Sequence, residues 1–116
     1  MYALKFTRQG LGDVRALAKN IRGPLRNVLK QKLAVDPKGC SSELREPLQG
    51  FRSLHWKQYR VVFKIYEDYK IVAIAGVGER SAHSRSSVYR RLETLVARGR
   101  LAEELLSTLR GFSSEI

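Results

Sequence analysis

Apolar positions along this chain change period several times, and each change marks an element. YALKF, residues 2–6, alternates and is rich enough in aromatics to open a sheet, after which Gly10 and Gly12 break the run. Leu11, Val14, Ala18 and Ile21 then recur at roughly helical spacing, with Asp13 placed as a first-turn acid. Pro24 suits the first position of a second helix, whose stripe is Leu25, Val28, Leu29 and Leu33. The other faces of these two helices carry Arg15, Lys19, Arg22, Arg26, Lys30 and Lys32, the ordinary make-up of a solvated helix surface.

VDPKGCSSELREPLQG, residues 35–50, has no clear period and reads as a connection. Three strands follow at 51–56, 59–66 and 70–77, joined closely enough for an antiparallel meander, with Glu67-Asp68 as a tight turn. IVAIAGV within the last of them predicts a central strand covered on both faces, or one with a covered face and a face lining a shallow hollow. Helical spacing returns at Val88, Leu92, Leu95 and Val96 and stops at Gly99. A last amphipathic run has Leu101, Leu105, Leu106 and Leu109, with Glu103 and Glu104 near its start, where carboxylates favour the helix dipole. The expected fold is α+β: an antiparallel sheet of about four strands, two N-terminal helices on one face, and one or more C-terminal helices. One domain is expected over 1–116, with a helical extension from about residue 100.

QYRVVFKIY, residues 58–66, carries cations inside a core-like strand. Side chains alternate along a strand, so Tyr59, Val61, Phe63 and Ile65 share one face and Arg60, Val62, Lys64 and Tyr66 the other. The first face is expected to be core and the second uncovered.

Charge sharpens this picture. The 116 residues hold 22 Lys plus Arg against 11 Asp plus Glu, a net charge of +11 that favours negative partners. Nucleic acid and an acidic protein both satisfy it, and charge alone does not choose among RNA, DNA and protein. Cys40 is the sole cysteine, which excludes an internal disulfide and a Cys-based zinc cluster and suits a reducing, cytoplasmic setting. MYALKFTRQG lacks a signal peptide's apolar core and IVAIAGV is too short to span a bilayer, so a soluble intracellular protein with no membrane partner is expected. No cofactor or metal is expected.

Arg52 or His55, together with Arg60 and Arg80, would come from neighbouring strands or strand ends onto one concave surface, where guanidinium groups bind phosphate in a forked fashion. Tyr59, Tyr66 and Tyr89 would add flat faces on which an unpaired base stacks.

QYRVVFKIY, YKIVAIAGVGER and SSVYRR, in that order, resemble the signature of the RelE/ParE toxin superfamily: a Tyr-Arg-Val-Val-Tyr-like strand, an apolar strand ending in Val-Gly-x-Arg, and a Val-Tyr pair shortly afterwards. The resemblance covers about residues 2–97 and is most distinctive over 50–90. For RelE-like members it implies cleavage of messenger RNA in the ribosomal A site without a metal, the 2′-hydroxyl attacking the adjacent phosphate and leaving a cyclic phosphate. By position, Arg60 matches the strand arginine, Arg80 the Val-Gly-x-Arg arginine and Tyr89 the Val-Tyr tyrosine. Such chemistry needs cations for the charge that builds on phosphorus and groups that move protons at the attacking and leaving oxygens.

The match has departures. RelE has lysines on the strand before Tyr-Arg, where this chain offers Arg52, Ser53, His55 and Lys57. His55 and His83 are rivals for general base or acid. The loop SAHSRSSV is longer than usual for the family, which shifts the placement of His83 and Tyr89. Arg52, Lys57, Lys64, Arg85, Arg90 and Arg91 are the candidate RNA contacts. Each residue also has a plain reading: Tyr89 packs a helix on the sheet, Arg90 and Arg91 decorate that helix, Glu79 is surface, and Cys40 is inert.

The resemblance also implies partners: a cognate antitoxin, acidic or partly disordered, in a toxin–antitoxin hetero-oligomer, with messenger RNA and the ribosome as targets. The alternatives are a ParE-like toxin that binds and inhibits DNA gyrase, and an inactive relative that keeps only antitoxin binding.

Overall fold

A computed structural model describes residues 1–79 and 87–110. Its elements are β1 (Ala3–Phe6), α1 (Arg8–Arg15), α2 (Lys19–Val28), β2 (Ser42–Glu43), β3 (Arg52–Trp56), β4 (Tyr59–Tyr66), β5 (Ile71–Glu79), α3 (Val88–Ala97) and α4 (Arg100–Leu109). The α+β class holds, but the sheet is mixed and has five strands in the order β1-β5-β4-β3-β2. β1 lies parallel to β5, from Ala3 opposite Ile71 to Phe6 opposite Ile74, while the other pairs are antiparallel. The fifth strand is β2, only two residues long, too short to leave a period in the sequence.

α1 begins earlier than the glycines suggested, because the Thr7 side chain accepts the Gly10 N–H at 3.0 Å and caps the helix. Glycine is needed at position 10: an added Cβ would overlap the Ile74 carbonyl oxygen. Asp13 therefore sits near the end of α1, not in its first turn. Pro24 likewise falls inside α2, and that helix runs on into a wider turn over Leu29–Leu33.

Two cores sandwich the sheet. On the first face Leu11, Val14, Leu25, Leu29 and Leu33 of the N-terminal helices pack on Leu54, Val61, Phe63 and Ile74. On the second, Val88, Leu92, Leu101 and Leu105 pack on Val62, Ala73 and Ala75. The expected open face is thus partly closed by α3 and α4. Each fully buried Leu, Val or Phe stabilises by roughly 1.5–3 kcal/mol relative to exposure, which outweighs the loss of helix and side-chain freedom only when such residues cluster.

Because both sides are covered, Val72 to Val77 are all buried, and β5 is a central strand covered on both faces. Its register slips beside Val62 and Phe63, which lie opposite Gly76 and Ile74. The extra residue lets Ala75 and Gly76 both serve the second face while Ile74 and Val77 serve the first. Gly76 admits α3, since a Cβ there would stand 3.0 Å from Val88 Cγ2 and 3.1 Å from Leu92 Cδ1. Among the described residues no helix is long and apolar enough to cross a membrane.

Candidate active site on the second sheet face

Register brings two of the expected residues together. His55 of β3 lies directly opposite Arg60 of β4, and Ser53 opposite Val62, so all four side chains share the face that carries α3. α3 and α4 cover the part of this face over Val62, Ala73 and Ala75. At the β3–β4 hairpin end His55 is exposed and Arg60 half-buried.

Arg60 is anchored by its own hairpin. Its Nη1 donates to the Tyr59 carbonyl at 2.9 Å and the Lys57 carbonyl at 3.4 Å. Lys57 can offer that carbonyl because it takes a left-handed turn conformation, φ 54°. Nε of Arg60 is buried and has no hydrogen-bond partner among the described residues. A buried guanidinium N–H without an acceptor is costly, and an anionic oxygen would supply one.

Tyr89, in the first turn of α3, reaches down to the same face, where its hydroxyl and that of Ser53 are 2.8 Å apart. Lys64 lies along this face with its ammonium 5.7 Å from the Phe51 ring centre and 5.5 Å from that of Tyr66. Burial pushes the Tyr66 phenol above its ordinary pKa. Arg90 is exposed on α3.

Other expected members stand elsewhere. Arg52 lies opposite Phe63 and so belongs to the first face. Its Nε donates to Ser41 Oγ at 2.7 Å and its Nη2 to the Ser41 carbonyl at 3.0 Å. It lines a cleft of about 430 Å³ with Lys38, Glu43 and Glu67, whose carboxylates oppose an anion. Of the two alternatives at that position, His55 joins Arg60 and Arg52 does not. Tyr59 is also turned away: it stacks on Trp56 at 5.9 Å, with Lys57 5.1 Å from the Trp56 ring centre. Arg91, expected at RNA, ion-pairs with the buried Asp13 of α1 and donates from Nη2 to the Val77 carbonyl at 3.2 Å. Arg80, His83 and Arg85 lie outside the described residues.

The Asp13–Arg91 pair was not anticipated. Its signal was an acid set between the apolar positions Leu11 and Val14, where a carboxylate that turns inward must find a donor. Among the described residues no cluster of His, Cys, Asp or Glu could hold a metal ion.

No family model and no curated protein matches the chain. Solved structures do. The RelBE2 toxin–antitoxin complex of Mycobacterium tuberculosis is similar at 25% identity and a TM-score of 0.64, over 68% of this chain and 98% of that one. The isolated RelE toxin of Escherichia coli is similar at 21% identity and a TM-score of 0.58, over 83% of this chain and 99% of that one. In the intact Escherichia coli RelBE toxin–antitoxin complex the figures are 19% and 0.58, over 70% and 99%. The chain has a RelE-like toxin fold. In this RelE-like chain the strand arginine of the sequence signature is Arg60, and the second glycine of its Gly-Val-Gly run, Gly78, lies directly opposite it.

Proposed function

We propose that this protein is the toxin of a toxin–antitoxin pair and that it cuts ribosome-bound messenger RNA without a metal. The reading rests on the RelE-like fold, and within it on one observation: an anchored arginine, with a buried N–H that has no acceptor among the described residues, stands opposite an exposed histidine on a sheet face. Arg60, with Arg80 from the segment that follows β5, would neutralise the charge that builds on phosphorus as the 2′-hydroxyl attacks in line. Arginine suits this role because it stays charged at any working pH. His55 or His83 would take the 2′-hydroxyl proton, and a second group would return one to the departing 5′-oxygen, leaving a cyclic phosphate.

Partners follow from charge and from the company the similar structures keep. Two of those structures are complexes with an antitoxin, and a +11 chain attracts an acidic, partly disordered segment. Lys64 along this face, Lys57 at the hairpin and Arg90 on α3 would grip RNA or ribosome through phosphates. A cytoplasmic setting is the one in which ribosomes are met.

The test incubates the purified protein with translating ribosomes and maps messenger ends, with DNA supercoiling by gyrase assayed in parallel. Cleavage with gyrase untouched is expected. Blocked supercoiling without cleavage would make the protein a gyrase inhibitor on the same fold, and neither activity would leave an inactive antitoxin-binding relative.

A further inference from the structure

α3 carries Tyr89 and Arg90 over the site, yet little in its own sequence fixes where its first turn stands. Its N-cap, Ser87, makes no side-chain capping bond, and the first turn holds no acid. Beneath it the sheet offers Gly76 and Gly78, which have no side chains to index the helix. Val88 and Leu92 rest over this glycine strip and pack on Val62, Ala73 and Ala75, apolar contacts that carry no polar register of their own.

Two polar stays flank that strip. Tyr89 and Arg91 are two positions apart, about 200° around a helix, so they leave it on opposite sides. On one side Tyr89 meets Ser53 of β3. On the other Arg91 meets Asp13, whose surroundings leave it no freedom. Asp13 is 8% exposed, its Oδ2 accepts the Val77 N–H at 2.9 Å, and its Oδ1 accepts from Gln9 Nε2 at 2.8 Å as well as from Arg91. Arg91 Nη2 closes the ring on the Val77 carbonyl.

We propose that Asp13 is a positioning residue for the cleavage site: through Arg91 it sets the roll of α3, and so where Tyr89 stands above Ser53 and Arg60. The catalytic part of this inference rests on the ribonuclease reading; the positioning part does not. It also changes the role of Arg91, from a contact for RNA to a stay that holds the helix.

The experiment records the ring resonances of Tyr89, assigned with a Tyr89→Phe control, in the full chain and in Asp13→Asn, Arg91→Gln and Arg91→Lys. Trp56 fluorescence during thermal unfolding confirms that each variant folds, and Arg91→Lys, which keeps a charge, serves if Arg91→Gln does not. Shifted Tyr89 resonances are expected in both Asp13→Asn and Arg91→Gln. In the ribosome assay kcat should fall about ten- to a hundredfold with KM unchanged, since a small misplacement costs rate more than binding. The double variant should be no worse than the more affected single one, because both act through one contact. Unmoved Tyr89 resonances would overturn the positioning role, and so would a raised KM with kcat intact, which would make Arg91 a direct RNA contact. If the native chain cleaves nothing, the failure belongs to the ribonuclease reading, and the resonances still decide the positioning role.

Discussion

On one face of the sheet, β4 presents Val61, Phe63 and Ile65 to the N-terminal helices; on the other it presents Arg60, Val62, Lys64 and Tyr66, of which only Val62 is fully buried. The first face is closed over Val61 and Phe63 by leucines from α1, α2 and the turn that extends α2. The second is closed by α3 and α4 together with Leu48 and Phe51, and beneath the helices β5 has alanines and glycines in place of large side chains. One side maximises buried area. The other trades area for close helix approach, and among the described residues no apolar cluster covers the hairpin end with His55 and Arg60. The same strands thus supply a packed scaffold and, at the hairpin, the face on which the proposed site lies.

The largest effect should come from the first face. Phe63→Ala is expected to cost about 3–5 kcal/mol in chemical denaturation, because a 0% exposed ring leaves a cavity that rigid helices cannot fill. Leu92→Ala tests whether the second face is a true core, with an expected loss of about 2–4 kcal/mol; a loss below about 0.5 kcal/mol would mean that α3 only rests on the sheet. Gly76→Ala should cost about 1–2 kcal/mol, since the new methyl must push Val88 and Leu92 aside by a few tenths of an ångström. Arg60→Ala, in contrast, should change stability by less than about 1 kcal/mol, because it removes a buried N–H that has no partner among the described residues along with the two carbonyl contacts.

The smallest effect is electrostatic and lies at the far end of β4. Tyr2 donates to the Glu67 carboxylate at 2.8 Å, and Lys70 and Lys38 lie within ion-pair distance of it. These partners hold the Glu67 pKa below its ordinary value of 4.5, the Tyr2 hydrogen bond contributing most. A depressed carboxyl pKa adds stability above the unfolded value and loses it as pH falls through the folded one. Glu67→Gln should therefore lower the melting temperature slightly at pH 6, with the difference from the native chain vanishing in more acidic buffer. A difference that persisted unchanged below pH 3 would show that the cluster acts by packing and not by charge.

The meander and the division of β4 into two faces were legible because a two-residue period survives in the sequence. The helical stripes of α3 and α4 were legible too, but where α4 docks was not, since periodicity gives a helix its apolar face and not that face's partner. The parallel pairing of β1 with β5 left no local trace, being a contact between strands some 65 residues apart; β2 was too short to show a pattern. At the site, the sequence offered Arg52 or His55 beside Arg60 and left the choice between them open. That choice depends on a register that only the hairpin at Lys57 fixes, and it puts His55 on the face of Arg60 and Arg52 on the other. The pairing of Arg91 with Asp13 left no local trace, since the two are 78 residues apart.

The most direct measurement maps the ends of a messenger held on translating ribosomes, with the native chain and with Arg60→Ala compared at equal folded concentration. The native chain should leave fragments ending in a cyclic phosphate, and Arg60→Ala should make them at least about a hundredfold more slowly. Undiminished cutting by Arg60→Ala, or no cutting by the native chain, would contradict a ribonuclease centred on this face.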